Sequence, residues 1–306
     1  MNIIKECFKF VFEFHQIFIQ HINLEFMTHS LIFFDNHMHL SEKGRYIEAI
    51  KDFKRYGGTH LNFCPYTNIK KIIKNRSYME CYEDGIKIAS KAEEKTGVRI
   101  FLTLGPYPVD YLKLRELIGR EKAFNLMKKG IKEAQRLCQE GKAIAIGEIG
   151  RPHFPVDEEA LKDSNIIMKY GMELAKEANV PVILHMEGTN QKNMKEISEM
   201  AKRVGIDAGK VIKHYSPPII KKEENFGIFP SVIAKERNIE EAIKKGLRFV
   251  LETDYLDDLS RPGAVLALHT IPKKLKKLLG EEKVGEDEIM AINKENPEKI
   301  YGISLE

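Results

Sequence analysis

Histidine and carboxylate side chains stand at the ends of several short apolar runs in this chain. The richest case is Asp35-Asn36-His37-Met38-His39, which closes the run that begins at Leu31. Residues two apart on a strand point the same way, so His37 and His39 can grip one cation together. Glu148 ends the run AIAIGE, His185 ends PVILH, His214 ends KVIKH and Asp254 ends FVLETD. Any one of these fits equally well as a satisfied core histidine or a helix-capping acid. Six such groups converging on one place would be costly to bury unpaired, and divalent metal ions remove that cost. A metal ion held by such a set can activate a water for attack on phosphorus or a carbonyl carbon. Asp254 and Glu148 are the candidate catalytic carboxylates, with Asp254 placed to accept the proton of the water. Asp35 reads as a supporting residue. Tyr107, Arg151, His153 and Glu187 are the candidate substrate contacts. The ion is expected among Zn, Mn, Mg, Fe or Co, because a mixed imidazole and carboxylate shell accepts all of them.

The elements that must carry these groups alternate along the chain. Short apolar runs lie at Leu31–Asp35, Thr59–Phe63, Val98–Leu104, Ala143–Ile146, Pro181–Leu184, Lys210–Ile212, Phe226–Phe229 and Arg248–Leu251. Amphipathic stretches lie between them, at Tyr46–Tyr56, Lys122–Glu140, Asp157–Ala178, Met194–Val204 and Ile239–Lys245. Buried parallel strands joined by helical crossovers produce this pattern, and eight of them predict an α/β fold, a (β/α)8 TIM barrel. The candidate residues then fall at the C-terminal mouth of the barrel, where active sites form. No GxGxxG follows the first strand and no GxxxxGK[ST] occurs, which excludes the common dinucleotide and P-loop sites. His60 opens its strand and belongs at the opposite, stability face. His269 and the Lys273, Lys274, Lys276 and Lys277 patch read as parts of a solvated helical region spanning Pro262 to Glu306.

A chain of 306 residues with 43% hydrophobic and 31% charged residues can bury a full core. Its net charge of +4 carries no strong nucleic-acid footprint. Cys7, Cys64, Cys81 and Cys138 form no CxxC pair, so reduced thiols and a cytoplasmic location are expected. Residues 1–29 form an extra N-terminal segment ahead of the barrel of residues 30–306. Lys5, Glu6, Lys9 and Glu13 interrupt its apolar run, so neither a transmembrane span nor a secretory signal is expected there. Apolar residues recur in it at helical spacing. Three readings stay open: a helix docked on the barrel or a partner, a membrane-surface helix, or sequence upstream of a start at Met27.

Taken together, several motifs resemble the TatD-related metal-dependent hydrolases of the amidohydrolase superfamily. They are Phe34-Asp35-Asn36-His37-Met38-His39-Leu40, Ile146-Gly147-Glu148-Ile149-Gly150, His185, His214, Leu251-Glu252-Thr253-Asp254 and the closing Asn296-Pro297-Glu298-Lys299-Ile300-Tyr301-Gly302. The resemblance runs from about Ser30 to Gly302. It implies a (β/α)8 fold, a dinuclear divalent metal centre and hydrolysis, often of DNA phosphodiesters. It also implies that His37, His39 and Asp254 hold one metal and His185 and His214 the other, with Glu148 bridging.

The positions around those ligands depart from the family pattern. Gly105-Pro106-Tyr107-Pro108 stands where a Gly-x-His-Pro is usual, and Gly150-Arg151-Pro152 where a Gly-Leu-Asp is usual. Glu187 replaces an Arg, and Tyr255-Leu256 follows the last Asp without its usual Pro. Exchanging Arg for Glu187 removes a phosphate clamp and adds repulsion toward a phosphodiester, which Arg151 on another loop would offset. The expected substrate is a phosphoester, small or nucleic acid. The alternatives are an ester, lactone or amide, or a catalytically silent metal-stabilised scaffold or binding protein.

Overall fold

A computed structural model describes residues 31–306; the N-terminal segment, with Cys7, His15, His21 and His29, lies outside the described residues. The strands are β1 Phe34–His39, β2 His60–Phe63, β3 Arg99–Leu104, β4 Ala145–Gly150, β5 Val182–His185, β6 Val211–Ser216, β7 Phe229–Ile233, β8 Val250–Glu252 and the short β9 Tyr255–Leu256. Neighbours run β8-β7-β6-β5-β4-β3-β2-β1-β9, and every pair is parallel. Such a sheet needs helical crossovers, and these follow in order. They are α1 Ile47–Arg55, α2 Ile69–Asn75, α3 Met79–Thr96, α4 Asp110–Ile118, α5 Arg120–Gln139, α6 Glu158–Glu177, α7 Gln191–Val204, α8 Lys222–Asn225 and α9 Glu236–Lys245. The chain closes with α10 Thr270–Gly280, α11 Glu286–Met290 and α12 Asn296–Tyr301.

Closure into a barrel depends on the break between β8 and β9. β8 pairs with β7, whereas β9 pairs with β1 through Met38 opposite Tyr255 and His39 opposite Leu256. At the break, Thr253 N donates to Asp35 Oδ1 at 3.0 Å and Asp254 N donates to His37 O at 2.9 Å. The eighth strand position is thus split between two partners, and the fold is the expected TIM barrel.

Local chemistry explains the helices. Asn68 caps α2, Asp157 caps α6 and Asn190 caps α7, each accepting a backbone N–H of the first turn. In α6 the buried Ala160, Ser164, Ile167, Met168, Gly171 and Ala175 repeat every three or four residues, the stripe that packs on the sheet. A Cβ on Gly171 would stand 2.1 Å from Ile149 Cδ1, so glycine is what lets α6 approach β4 closely.

The strand ends differ from the sequence expectation in a consistent way. β1, β4 and β6 each extend four residues past the apolar runs, so His37, His39, Glu148 and His214 lie within strands rather than after them. β7 occupies Phe229–Ile233, mostly beyond the run at Phe226–Phe229. Residues 262–269 are not helical, and His269 precedes α10, stacked on Tyr56 with ring centroids 4.5 Å apart. In the lysine patch, Lys274 and Lys277 both pair with Glu236 of α9. Among the described residues no helix is long and apolar enough to cross a membrane.

The barrel interior below the mouth is polar as well as apolar. Tyr301 of α12 donates to Asn36 Oδ1 at 2.6 Å, Asn36 Nδ2 donates to Ser231 Oγ at 2.9 Å, and Ser231 Oγ donates to Glu252 Oε2. On the other side Asn62 Nδ2 donates to Asn36 O at 3.0 Å, and Asn62 Oδ1 accepts from Thr103 Oγ1 at 2.9 Å. The floor of the site is therefore a chain of satisfied hydrogen bonds, which fixes the strands against one another.

Candidate metal centre and cavity

Three strands carry an irregular register, and each irregularity falls on a candidate ligand. On β1, Asp35 to Met38 faces Leu61 to Phe63 of β2, so one extra residue sits around His37. On β4 the extra residue falls between Ile146 and Ile149, at Glu148. On β6 it falls between Lys213 and Ser216, at His214. A bulge re-aims a side chain that regular alternation would place elsewhere. The fourth device is Asp254, which adopts φ 48° in the gap between β8 and β9. Aspartate tolerates this left-handed conformation better than most residues.

The outcome is convergence on one oxygen. Glu148 Oε1 lies 3.2 Å from His37 Nε2, 3.2 Å from His185 Nδ1 and 3.2 Å from His214 Nε2. Asp254 Oδ1 lies 3.6 Å from His39 Nε2 and 3.9 Å from His37 Nε2. Two groups, His37-Glu148-His214 and His37-His39-Asp254, each bring their ligand atoms within 4.8 Å of one another. They share His37, whereas the family pattern places Glu148 as the link. His185 joins through its contact with Glu148. Gly150 makes that approach possible: it has φ 137°, and a Cβ there would stand 2.1 Å from His185 O.

The surroundings prepare these atoms for a cation. His39 Nδ1 donates to Cys64 O at 2.8 Å; a carbonyl only accepts, so the lone pair of His39 is on Nε2, toward Asp254. His37 Nδ1 lies 3.4 Å from Cys64 Sγ, and its buried Nε2 has no hydrogen-bond partner while facing both carboxylates. Burial would push the Glu148 carboxyl up, but His37, His214 and His185 outweigh it and hold Glu148 well below the usual carboxylate range. Burial also pushes His214 well below the ordinary imidazole value, with His37 adding to the effect. An ionised carboxylate ringed by three imidazoles, with His37 Nε2 and His214 Nδ1 unsatisfied, is a donor set that suits a divalent cation.

A second layer holds this one. Glu252 Oε1 lies 2.9 Å from His214 Nδ1, off the line of a hydrogen bond, and accepts from Tyr215 N at 2.6 Å. Burial raises its carboxyl to about 7. Asp35 is buried and also raised to about 7 by burial, although it accepts from Thr253 N, Thr253 Oγ1 and His37 N. It ties β1 to the β8–β9 break.

A cavity of about 780 Å³ opens over the centre. Of the candidate substrate contacts, Tyr107, His153 and Glu187 line it. His153 Nδ1 lies 2.9 Å, and Tyr107 Oη 3.4 Å, from His185 Nε2. Arg151 is outside the lining. It is buried, with Nε on Asn165 Oδ1 at 2.6 Å, Nη1 on Glu187 Oε1 at 2.9 Å and Nη2 on Glu196 Oε2 at 3.2 Å. Its charge thus compensates Glu187 instead of facing the cavity. The sequence reading passed over Cys64, Lys213, Tyr66, Tyr215 and Glu252. Cys64 follows the second apolar run directly, a position equivalent to those that exposed the ligands. Lys213 gave no such signal, because alternation sets it on the face opposite His214, yet it lines the cavity. Tyr66 stacks on His39 with centroids 5.1 Å apart.

A TIM barrel with imidazoles and carboxylates gathered at its mouth defines the class of metal-dependent barrel hydrolases. The chain belongs to the TatD-related DNase family, whose model matches residues 34–302, and it is a metal-dependent hydrolase. It is 36% identical over 283 residues to the uncharacterized protein MJ1127 of Methanocaldococcus jannaschii, covering 89% of this chain and 96% of that protein. It is 25% identical over 185 residues to MJ0761, an uncharacterized metal-dependent hydrolase of the same organism, covering 58% of this chain and 66% of that one. In fold it is similar to a TatD-family hydrolase from Entamoeba histolytica, with a TM-score of 0.58 at 15% identity, over 88% of this chain and 97% of that one.

Proposed function

We propose that this hydrolase cleaves a phosphoester with two divalent cations held by His37, His39, Glu148, His185, His214 and Asp254. The observation that carries the reading is Glu148 Oε1, equidistant at 3.2 Å from imidazoles of three different strands. Cations held there would acidify a water and polarise the scissile bond. The protein's own part is to orient and to move a proton. Glu148 stays ionised among the imidazoles and keeps them at a common point. Asp254, half-open to the cavity beside His39, accepts the proton of the attacking water. Tyr107 and His153 line the cavity on the His185 side, where the substrate would meet them. A cavity of this size suits a small molecule or the end of a chain, and DNA is one arm of the test rather than the assumed substrate.

The test has two stages. Elemental analysis of the wild type and of Glu148→Ala measures metal per chain; about two in the wild type and a clear fall in the variant are expected, on the dinuclear precedent. A panel of phosphodiester, phosphomonoester, lactone and single- and double-stranded DNA substrates with Mn, Zn and Mg then defines the bond cleaved. Absence of metal after reconstitution would overturn the reading.

A further inference from the structure

The reaction just described leaves one buried charge in the cavity wall without a task. Lys213 is 1% exposed and lines the cavity. Its Nζ donates to the carbonyl oxygen of its neighbour His214. An ammonium carries three donors, and among the described residues no carboxylate lies within ion-pair distance of this one. The carboxylates of Glu252, Glu187, Glu148 and Asp254 act on it only from farther away. Burying an ammonium with so few partners is expensive, and a Met or Leu of similar length would avoid the cost.

The other cations near the mouth are placed differently. Arg261 lines the cavity but is held by Asp258, with Nε 2.8 Å from Oδ2. Arg151 is turned away into Asn165, Glu187 and Glu196. Lys113 is exposed on α4, at the rim. The cavity therefore has one buried cation set beside a candidate ligand, on the strand that carries His214.

We propose that Lys213 is a specificity-determining residue that receives a phosphoryl oxygen of the substrate next to the metal centre. The inference rests on the phosphoester reading and narrows it. The substrate class that follows has an anionic phosphoryl group fitting wholly inside the cavity, with charge against β6.

The test uses the metal-loaded full chain and inorganic phosphate as the probe. Phosphate affinity is measured by calorimetry for wild type, Lys213→Met, Lys213→Gln and Lys213→Arg, with metal content determined on each sample. Loss of a charged hydrogen bond predicts a fall in affinity of about ten- to a hundredfold for the Met and Gln variants. Lys213→Arg should stay within a few-fold of the wild type, and metal content should be unchanged throughout. Should Lys213→Met fail to fold, the Gln and Arg variants carry the comparison. Unchanged phosphate affinity in a fully loaded Lys213→Gln protein would overturn the inference alone. A fall in phosphate affinity that tracks a change in metal content would also overturn it, making Lys213 a counter-ion of the carboxylates. A metal-loaded wild type that cleaves neutral esters and binds no phosphate would overturn the phosphoester reading itself.

Discussion

Cys64 touches both histidines of the first strand, its carbonyl oxygen 2.8 Å from Nδ1 of His39 and its sulfur 3.4 Å from Nδ1 of His37. One residue at the end of β2 thereby turns both Nε2 atoms toward Asp254 and Glu148. The two ties respond differently to mutation, because the first is backbone and the second is side chain.

Cys64→Ala should keep His39 in place and free His37. Partners of this kind are worth about ten- to a hundredfold in metal affinity. Competition against a chelator should show a loss at the lower end of that range, with Cys64→Ser, which retains an acceptor, closer to wild type. Equal losses in both variants would mean that sulfur only fills space.

Asp254→Asn keeps the shape of the side chain and removes its capacity to take a proton. Turnover should fall by about 10²–10⁴ while substrate affinity changes little. The measurement is steady-state kinetics on protein with verified metal content. Full loading with an unchanged rate would remove Asp254 from the proton-accepting role.

Arg151→Met removes a buried guanidinium and strands Glu187 and Glu196, both of which retain access to water. Solvent screening limits the two ion pairs, so the loss should be about 1–3 kcal/mol, most of it from the half-buried bond to Asn165. Chemical denaturation reads this directly. Phosphate affinity should stay near wild type, because the guanidinium does not face the cavity.

His60 offers a pH test remote from the metal centre. It opens β2 with Nδ1 2.8 Å from Thr59 Oγ1, and burial, with Arg99 and Lys294 adding, lowers it to about 4. The ordinary imidazole value is 6.5, so between pH 6.5 and about 4 the unfolded chain takes up a proton that the folded chain refuses. Stability from this group is complete above 6.5 and is lost as pH falls through that window, on the order of 3 kcal/mol. Denaturation midpoints at pH 7 and 4.5 should converge for His60→Gln relative to wild type. Identical pH slopes in the two proteins would contradict the assignment.

The sequence by itself determined the order of the eight barrel strands and five of the crossover helices, since an apolar run bounded by polar residues can be buried on both faces only as a parallel strand. It also marked His37, His39, Glu148, His185, His214 and Asp254, because polar groups at the ends of such runs must meet at one rim once the barrel closes. What it left open depends on register. Alternation along a strand says which side chains share a face, but the extra residues at His37, Glu148 and His214 appear only when neighbouring strands are paired. The same holds for partners far apart in the chain. Only closure sets Arg151 against Glu187 and Glu196, Cys64 under both histidines, and Lys213 against the cavity, since each arrangement depends on the spacing of strands that separate runs of sequence merely imply. Candidate ligand types are local properties of the chain, whereas the distances that would let them share a cation belong to the closed barrel.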